Sequence, residues 1–161
     1  MKVKNVIDED VVNYKETSMF IGTCFCDWKC CTEIGADICL CQNSPAYGTK
    51  IKDVDDDRLI KRYLKNDITH ALVLGGFEPF WRNTWDETLT FLKKFRESTD
   101  DPIVIYTGYR EPEISKQIEQ LKPLGNVIVK FGRYRPGEKP HRDEVLGVEL
   151  ANDEQHAVKI S

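Results

Sequence analysis

PIVIYTGY, residues 102–109, is apolar almost without a break until it reaches Thr107, Gly108 and Tyr109. A strand with one wet face alternates apolar and polar side chains. A near-continuous run is the mark of a strand covered on both faces, as in the parallel sheets of α/β proteins. Upstream lie WDETLTFLKKFRES (85–98), opened by Thr84 with Leu89, Leu92 and Phe95 at helical spacing, and the strand ITHALVLGG (68–76), closed by Gly75 and Gly76. Downstream, Glu111 to Leu124 carries Ile114, Ile118 and Leu121 as a helical stripe, and NVIVKFGRY (126–134) reads as another strand. Nearer the N-terminus, SMFIGT (18–23) is a short buried strand. RLIKRYLKN (58–66) is a helix capped by Asp55, Asp56 or Asp57, with Leu59, Ile60, Tyr63 and Leu64 on its inner side.

Strands and helices therefore alternate three times, which predicts an α/β fold with a mainly parallel sheet and alternating helices. After Pro136 the chain is polar; a loop is expected there, then a short strand or helix near residues 147–157. In sheets of this kind ligands gather at the C-terminal ends of the strands. The cysteines that follow residue 23, Gly75-Gly76, Tyr106-Thr107-Gly108 and Gly132 all fall at such ends.

The chain has 161 residues, 40% of them hydrophobic and 31% charged, which predicts a single domain over 1–161 with a core of its own. A net charge of -4 gives no general attraction to nucleic acid or to an anionic membrane. Arg133 to Arg135 is read as a solvated basic face. The opening MKVKNVIDEDVV has no apolar signal core, because Asp8, Glu9 and Asp10 interrupt it, and no stretch is long enough to span a bilayer. A cytoplasmic protein is expected, and in that compartment thiols stay reduced.

That matters because all six cysteines crowd into residues 24–41: Cys24, Cys26, Cys30, Cys31, Cys39 and Cys41. Clustered cytosolic thiols are more often metal-binding or catalytic than disulfide-bonded. A redox dithiol wants Cys-x-x-Cys at a helix start, which is absent. A structural zinc site wants two knuckles, and the one-residue gap between Cys39 and Cys41 suits a tetrahedron poorly. An iron–sulfur cluster fits the density of thiolates best. Cys26-x3-Cys30 places two ligands on one loop around Trp28, and Cys41, followed by the turn Gln42-Asn43-Ser44-Pro45, is the candidate third. Cys31 in place of Cys30 is the alternate. Three protein ligands on four irons leave one iron open.

With those residues in view, the chain resembles the radical S-adenosylmethionine superfamily and is similar to the activating proteins of anaerobic ribonucleotide reductase. The resemblance rests on CDWKC (26–30), CQNSP (41–45), LGGFEPFW (74–81), IYTGY (105–109) and, more weakly, LANDEQHAVKI (150–160). Two departures stand out. The superfamily's third cysteine would fall at position 33, which is Glu33, and the Asp-Gly of the activases is replaced by Lys130-Phe131-Gly132. The resemblance implies a short partial (βα) barrel, a 4Fe-4S cluster on Cys26, Cys30 and Cys41, and S-adenosylmethionine as second cofactor. It further implies cofactor contacts from Gly75, Gly76, Glu78, Pro79, Thr107 and Asn43. The expected partners are a glycyl-radical enzyme such as the anaerobic reductase and an electron donor such as flavodoxin or ferredoxin. The rival reading is a non-catalytic iron–sulfur or zinc module on the same scaffold.

Overall fold

Ala71, Leu72, Val73 and Leu74 have no accessible surface at all, and the sheet is built outward from them. The computed structural model describes residues 1–161. Ten strands run in chain order: β1 (Lys2–Val3), β2 (Asn5–Asp10), β3 (Ser18–Gly22), β4 (Lys52–Asp53), β5 (Ala71–Gly75), β6 (Ile103–Tyr106), β7 (Val127–Phe131), β8 (His141–Asp143), β9 (Val148–Leu150) and β10 (His156–Lys159). The α-helices are α1 (Lys29–Thr32), α2 (Asp56–Leu64), α3 (Trp85–Arg96) and α4 (Ser115–Leu121). The helix expected over 111–124 is divided: 3-10 turns at Glu111–Ile114 and Lys122–Leu124 flank α4. Pro112 and Pro123, which cannot donate to a helical ladder, lie in those turns.

Six strands form one open sheet in the order β10-β7-β6-β5-β3-β2. The four central strands are parallel, with Leu72 opposite Ile103 and Val104 opposite Ile128. Both edges are antiparallel, β2 on β3 and β10 on β7. The sheet is thus mixed, parallel through its centre as expected and antiparallel at both edges, and it does not close into a barrel. β2, NVIDED, carries acids along a half-exposed edge, as edge strands commonly do, and so lacks the apolar run that marks the central strands. β10 turns back after the β8–β9 hairpin; β9 lies within the 147–157 stretch expected to hold a short strand or helix, whereas β8 falls where only loop was expected.

Because β3, β5, β6 and β7 follow one another across the sheet, right-handed crossovers carry α2, α3 and α4 onto the same face. There Met19, Ile21, Leu72, Leu74, Ile105 and Val129 meet Leu59, Leu92, Phe95 and Ile118. The other face is smaller: Ala71, Val73, Val104 and Ile128 pack under Tyr14, Leu146 and Leu150 from the loop after β2 and the hairpin region. Neither apolar cluster includes a cysteine. No helix is long and apolar enough to cross a membrane.

Gly132 ends β7 with φ at 98°, where an added Cβ would lie 2.2 Å from the Glu154 carbonyl oxygen. Both the backbone and the space therefore demand glycine. Gly132→Ala is expected to cost about 3 kcal/mol from strained dihedrals and overpacking. A urea midpoint unchanged from the parent protein would contradict this.

Candidate metal centre

The cysteine segment leaves β3 under tight control. Thr23 donates both its N–H (2.9 Å) and its hydroxyl (3.0 Å) to the Gly75 carbonyl, and Glu78 N–H donates to the Phe25 carbonyl at 2.8 Å. The chain then reverses at Trp28, which has φ at 58° and caps α1. Its N–H points at Cys26 Sγ, 3.3 Å away, while its ring meets Phe77 and Tyr47 edge-on, each at 5.5 Å between centroids. Asp27 accepts from Lys29 N–H and from the Tyr109 hydroxyl at 2.7 Å, which fastens the turn to the end of β6. Asp37 holds the 3-10 turn at Ile38–Leu40, and Cys41 leads directly into the next turn, at Ser44–Ala46.

This path brings Cys26, Cys30, Cys31 and Cys41 to one cavity of about 680 Å³ at the C-terminal ends of the parallel strands. Gly76, Glu78, Thr107 and Asn43 line the same cavity. Gly75 and Pro79 do not: Gly75 completes β5, and the point where its Cβ would stand is 3.0 Å from the Phe20 ring. Cys24 is buried away from the cavity and Cys39 is exposed. Gly108 makes the close approach possible, since a Cβ there would stand 2.8 Å from Cys30 Sγ. Asn43 caps nothing with its side chain.

Glu78 is placed differently from a free carboxylate awaiting a ligand. It is buried, and it accepts from Thr107 Oγ1 at 2.7 Å, Phe80 N–H at 3.0 Å and Gly108 N–H at 3.0 Å. Burial outweighs those donors and raises its pKa to about 7. Its first task is structural: it ties the loop after β5 to the end of β6. Thr107 is engaged in the same contact, and its oxygen also accepts from Tyr109 N–H at 2.9 Å.

Three cations lie on the cavity wall that the sequence had not assigned to the site. Lys130 is buried, donates only to the Gly132 carbonyl at 3.3 Å, and stands 5.8 Å from the centre of the Tyr106 ring. Burial lowers its pKa to about 8. Arg133 has a fully buried side chain, pairs with Glu33 at 2.9 Å and Glu113 at 2.8 Å, and also donates to the Gly108 carbonyl. Arg135 donates to the Cys30 carbonyl at 2.7 Å and pairs with Glu33 at 2.9 Å. Arg133 to Arg135 is therefore no solvated face. The only sequence cue was three polar residues, Arg133 to Arg135, following a buried strand. Glu33, where the resemblance would have placed a third cysteine, is spent on this network and lines no part of the cavity.

No three histidine, cysteine, aspartate or glutamate side chains converge on a point suited to a single metal ion. A cluster asks for a different arrangement, with each thiolate on its own iron and the sulfurs spread around an inorganic core. The donor set fits that demand: four free thiols around one cavity, with Lys130 and Arg133 bearing on Cys30 and Arg135 on Cys31. Without iron, burial pushes the Cys26 thiol up to about 12 and raises those of Cys30 and Cys31. Metal coordination removes such protons outright.

An open α/β sheet with a thiol-lined cavity at its strand ends is the architecture of a cluster-binding protein. Residues 16–149 match the family model described as the 4Fe-4S single cluster domain, and the chain belongs to that family. The match takes in β3 through most of β9, including every cysteine. No curated protein and no solved structure gives a significant match.

Proposed function

We propose that the chain is a radical S-adenosylmethionine protein whose cluster is held by Cys26, Cys30 and Cys41. The observation that carries this reading is the shared cavity. Its volume, about 680 Å³, lies in the range of small-molecule sites, and thiols and strand-end polar groups face it together. When bound, the reduced cluster and S-adenosylmethionine supply 5′-deoxyadenosyl radical chemistry, which is the cofactors' own.

The chain's residues bind, orient and exclude water. Gly76, with φ at 82°, presents bare backbone to the cavity. Glu78 fixes Thr107 and Gly108 opposite Cys30, and its remaining acceptor capacity faces the ligand's ammonium. Lys130, a cation without a carboxylate partner, meets the ligand's carboxylate. Trp28, packed between Phe77 and Tyr47, shields the cysteine turn from water. The helices α2, α3 and α4 lie on one face of the sheet, and the reading places a second protein at the mouth of the cavity at the strand ends. The reading therefore extends to hydrogen-atom abstraction from a partner such as a glycyl-radical enzyme of the anaerobic reductase type, in the cytoplasm, with flavodoxin or ferredoxin as electron donor.

Anaerobically reconstituted protein, reduced in the presence of S-adenosylmethionine, is expected to release 5′-deoxyadenosine. Release no greater than that from dithionite alone would favour a non-catalytic iron–sulfur module.

A further inference from the structure

We propose that Cys31 is a fourth thiolate of the same centre, which caps the iron that S-adenosylmethionine takes when it binds. The inference rests on the reading that the cluster occupies this cavity.

Cys31 is only 3% exposed, yet it lines the cavity with Cys26, Cys30 and Cys41. Cys31 N–H donates to the Trp28 carbonyl at 2.9 Å, which ties it to the same turn that carries Cys26 and Cys30. Cys24 and Cys39, by contrast, face elsewhere. The left-handed turn at Trp28 aims the start of α1 at the cavity, and consecutive residues on a helix project about 100° apart. Cys30 and Cys31 thus reach toward different corners of a cluster rather than competing for one iron. Arg135, donating to the Cys30 carbonyl, holds that turn in place.

Four thiolates complete the coordination of four irons. The centre then has a closed form made wholly by the chain. Ligand binding is an exchange in which the iron–Sγ bond to Cys31 breaks and bonds to the ligand's amino nitrogen and carboxylate oxygen form. The ligand's ammonium would lose one proton as its nitrogen binds iron, the freed Cys31 thiolate would gain one, and no electron is transferred. The closed form protects the cluster whenever the ligand is absent.

The test compares reconstituted parent protein with Cys31→Ala, Cys31→Ser and the exposed-site control Cys39→Ser, using iron content, Mössbauer spectra and the three-iron EPR signal after mild oxidation. The parent is expected to show one class of iron site without S-adenosylmethionine and a distinct iron after its addition. Both Cys31 variants are expected to keep the cluster but show a distinct iron from the start. Their fourth iron should be lost to chelator at least about tenfold more readily, the scale on which even outer-shell changes weaken metal binding. Cys39→Ser should match the parent. Identical spectra and iron retention in parent and Cys31 variants would overturn the cap while leaving the cluster in place. Loss of all iron in both variants would also overturn it, by making Cys31 an indispensable ligand. A parent protein that assembles no four-iron cluster would remove the underlying reading as well.

Discussion

Replacing Cys26, Cys30 or Cys41 singly by alanine is expected to lower reconstituted iron from about four atoms per chain to near zero, with loss of the four-iron absorption. Each of the three lines the cavity, and each is fixed by its own local structure. Cys26 is anchored by the Trp28 N–H, Cys30 by α1 and by Arg135 on its carbonyl, and Cys41 by the paired 3-10 turns around it. Cys31 is not expected to rescue Cys41→Ala, because the proposal assigns it to a different iron from the one Cys41 would hold. Cys24→Ala and Cys39→Ala should retain the cluster, since neither residue faces the cavity. A Cys41→Ala protein that kept its four irons would displace Cys41 from the ligand set.

Arg133→Met is expected to destabilise the protein by about 3 kcal/mol and to weaken cluster retention with it. Removing one partner of a buried ion pair costs roughly 3 to 5 kcal/mol, and Glu33 and Glu113 keep enough contact with water to hold the cost at the low end. The arginine bridges three parts of the chain: Glu33 just after the cysteine turn, Gly108 at the end of β6, and Glu113 ahead of α4. A pH dependence follows. Hydrogen bonds from Arg133 and Arg135 hold the Glu33 carboxyl down at about 2, against an ordinary 4.5. For a depressed acid the stabilisation is complete above the unfolded value and disappears as pH falls through the folded one. Stability should therefore decline from pH 4.5 toward 2, and the decline should be shallower in Arg133→Met. Parallel acid-unfolding curves for the two proteins would contradict this account.

The central strands and the helices were legible because each carries an unambiguous period. β5 and β6 are continuous apolar runs, and Asp55 caps α2 by accepting from Arg58 N–H, as the sequence suggested. Thr84 does precede α3, although its hydroxyl donates to the Trp81 carbonyl instead of capping the helix. The antiparallel edges were not legible, because β2 and β10 bury little and so show no apolar run. At the site, residue type sufficed to find the thiols and Glu78, but the role of Glu78 depends on Thr107, 29 positions away. The Arg133 network was hidden for the same reason: its partners lie 20 and 100 residues distant, and only the folded chain puts charge beside charge.

The two apolar clusters close without a single cysteine, and the parallel strands are neighbours in sequence as well as in space. Those parallel pairings join residues 24 to 53 positions apart and so form slowly, but none of them needs a metal. In a zinc finger the metal supplies the folding free energy, and the chain waits for it. In this chain the order is reversed. The core closes without a thiol, so the chain is expected to fold first and to take up iron afterwards at a cavity already formed.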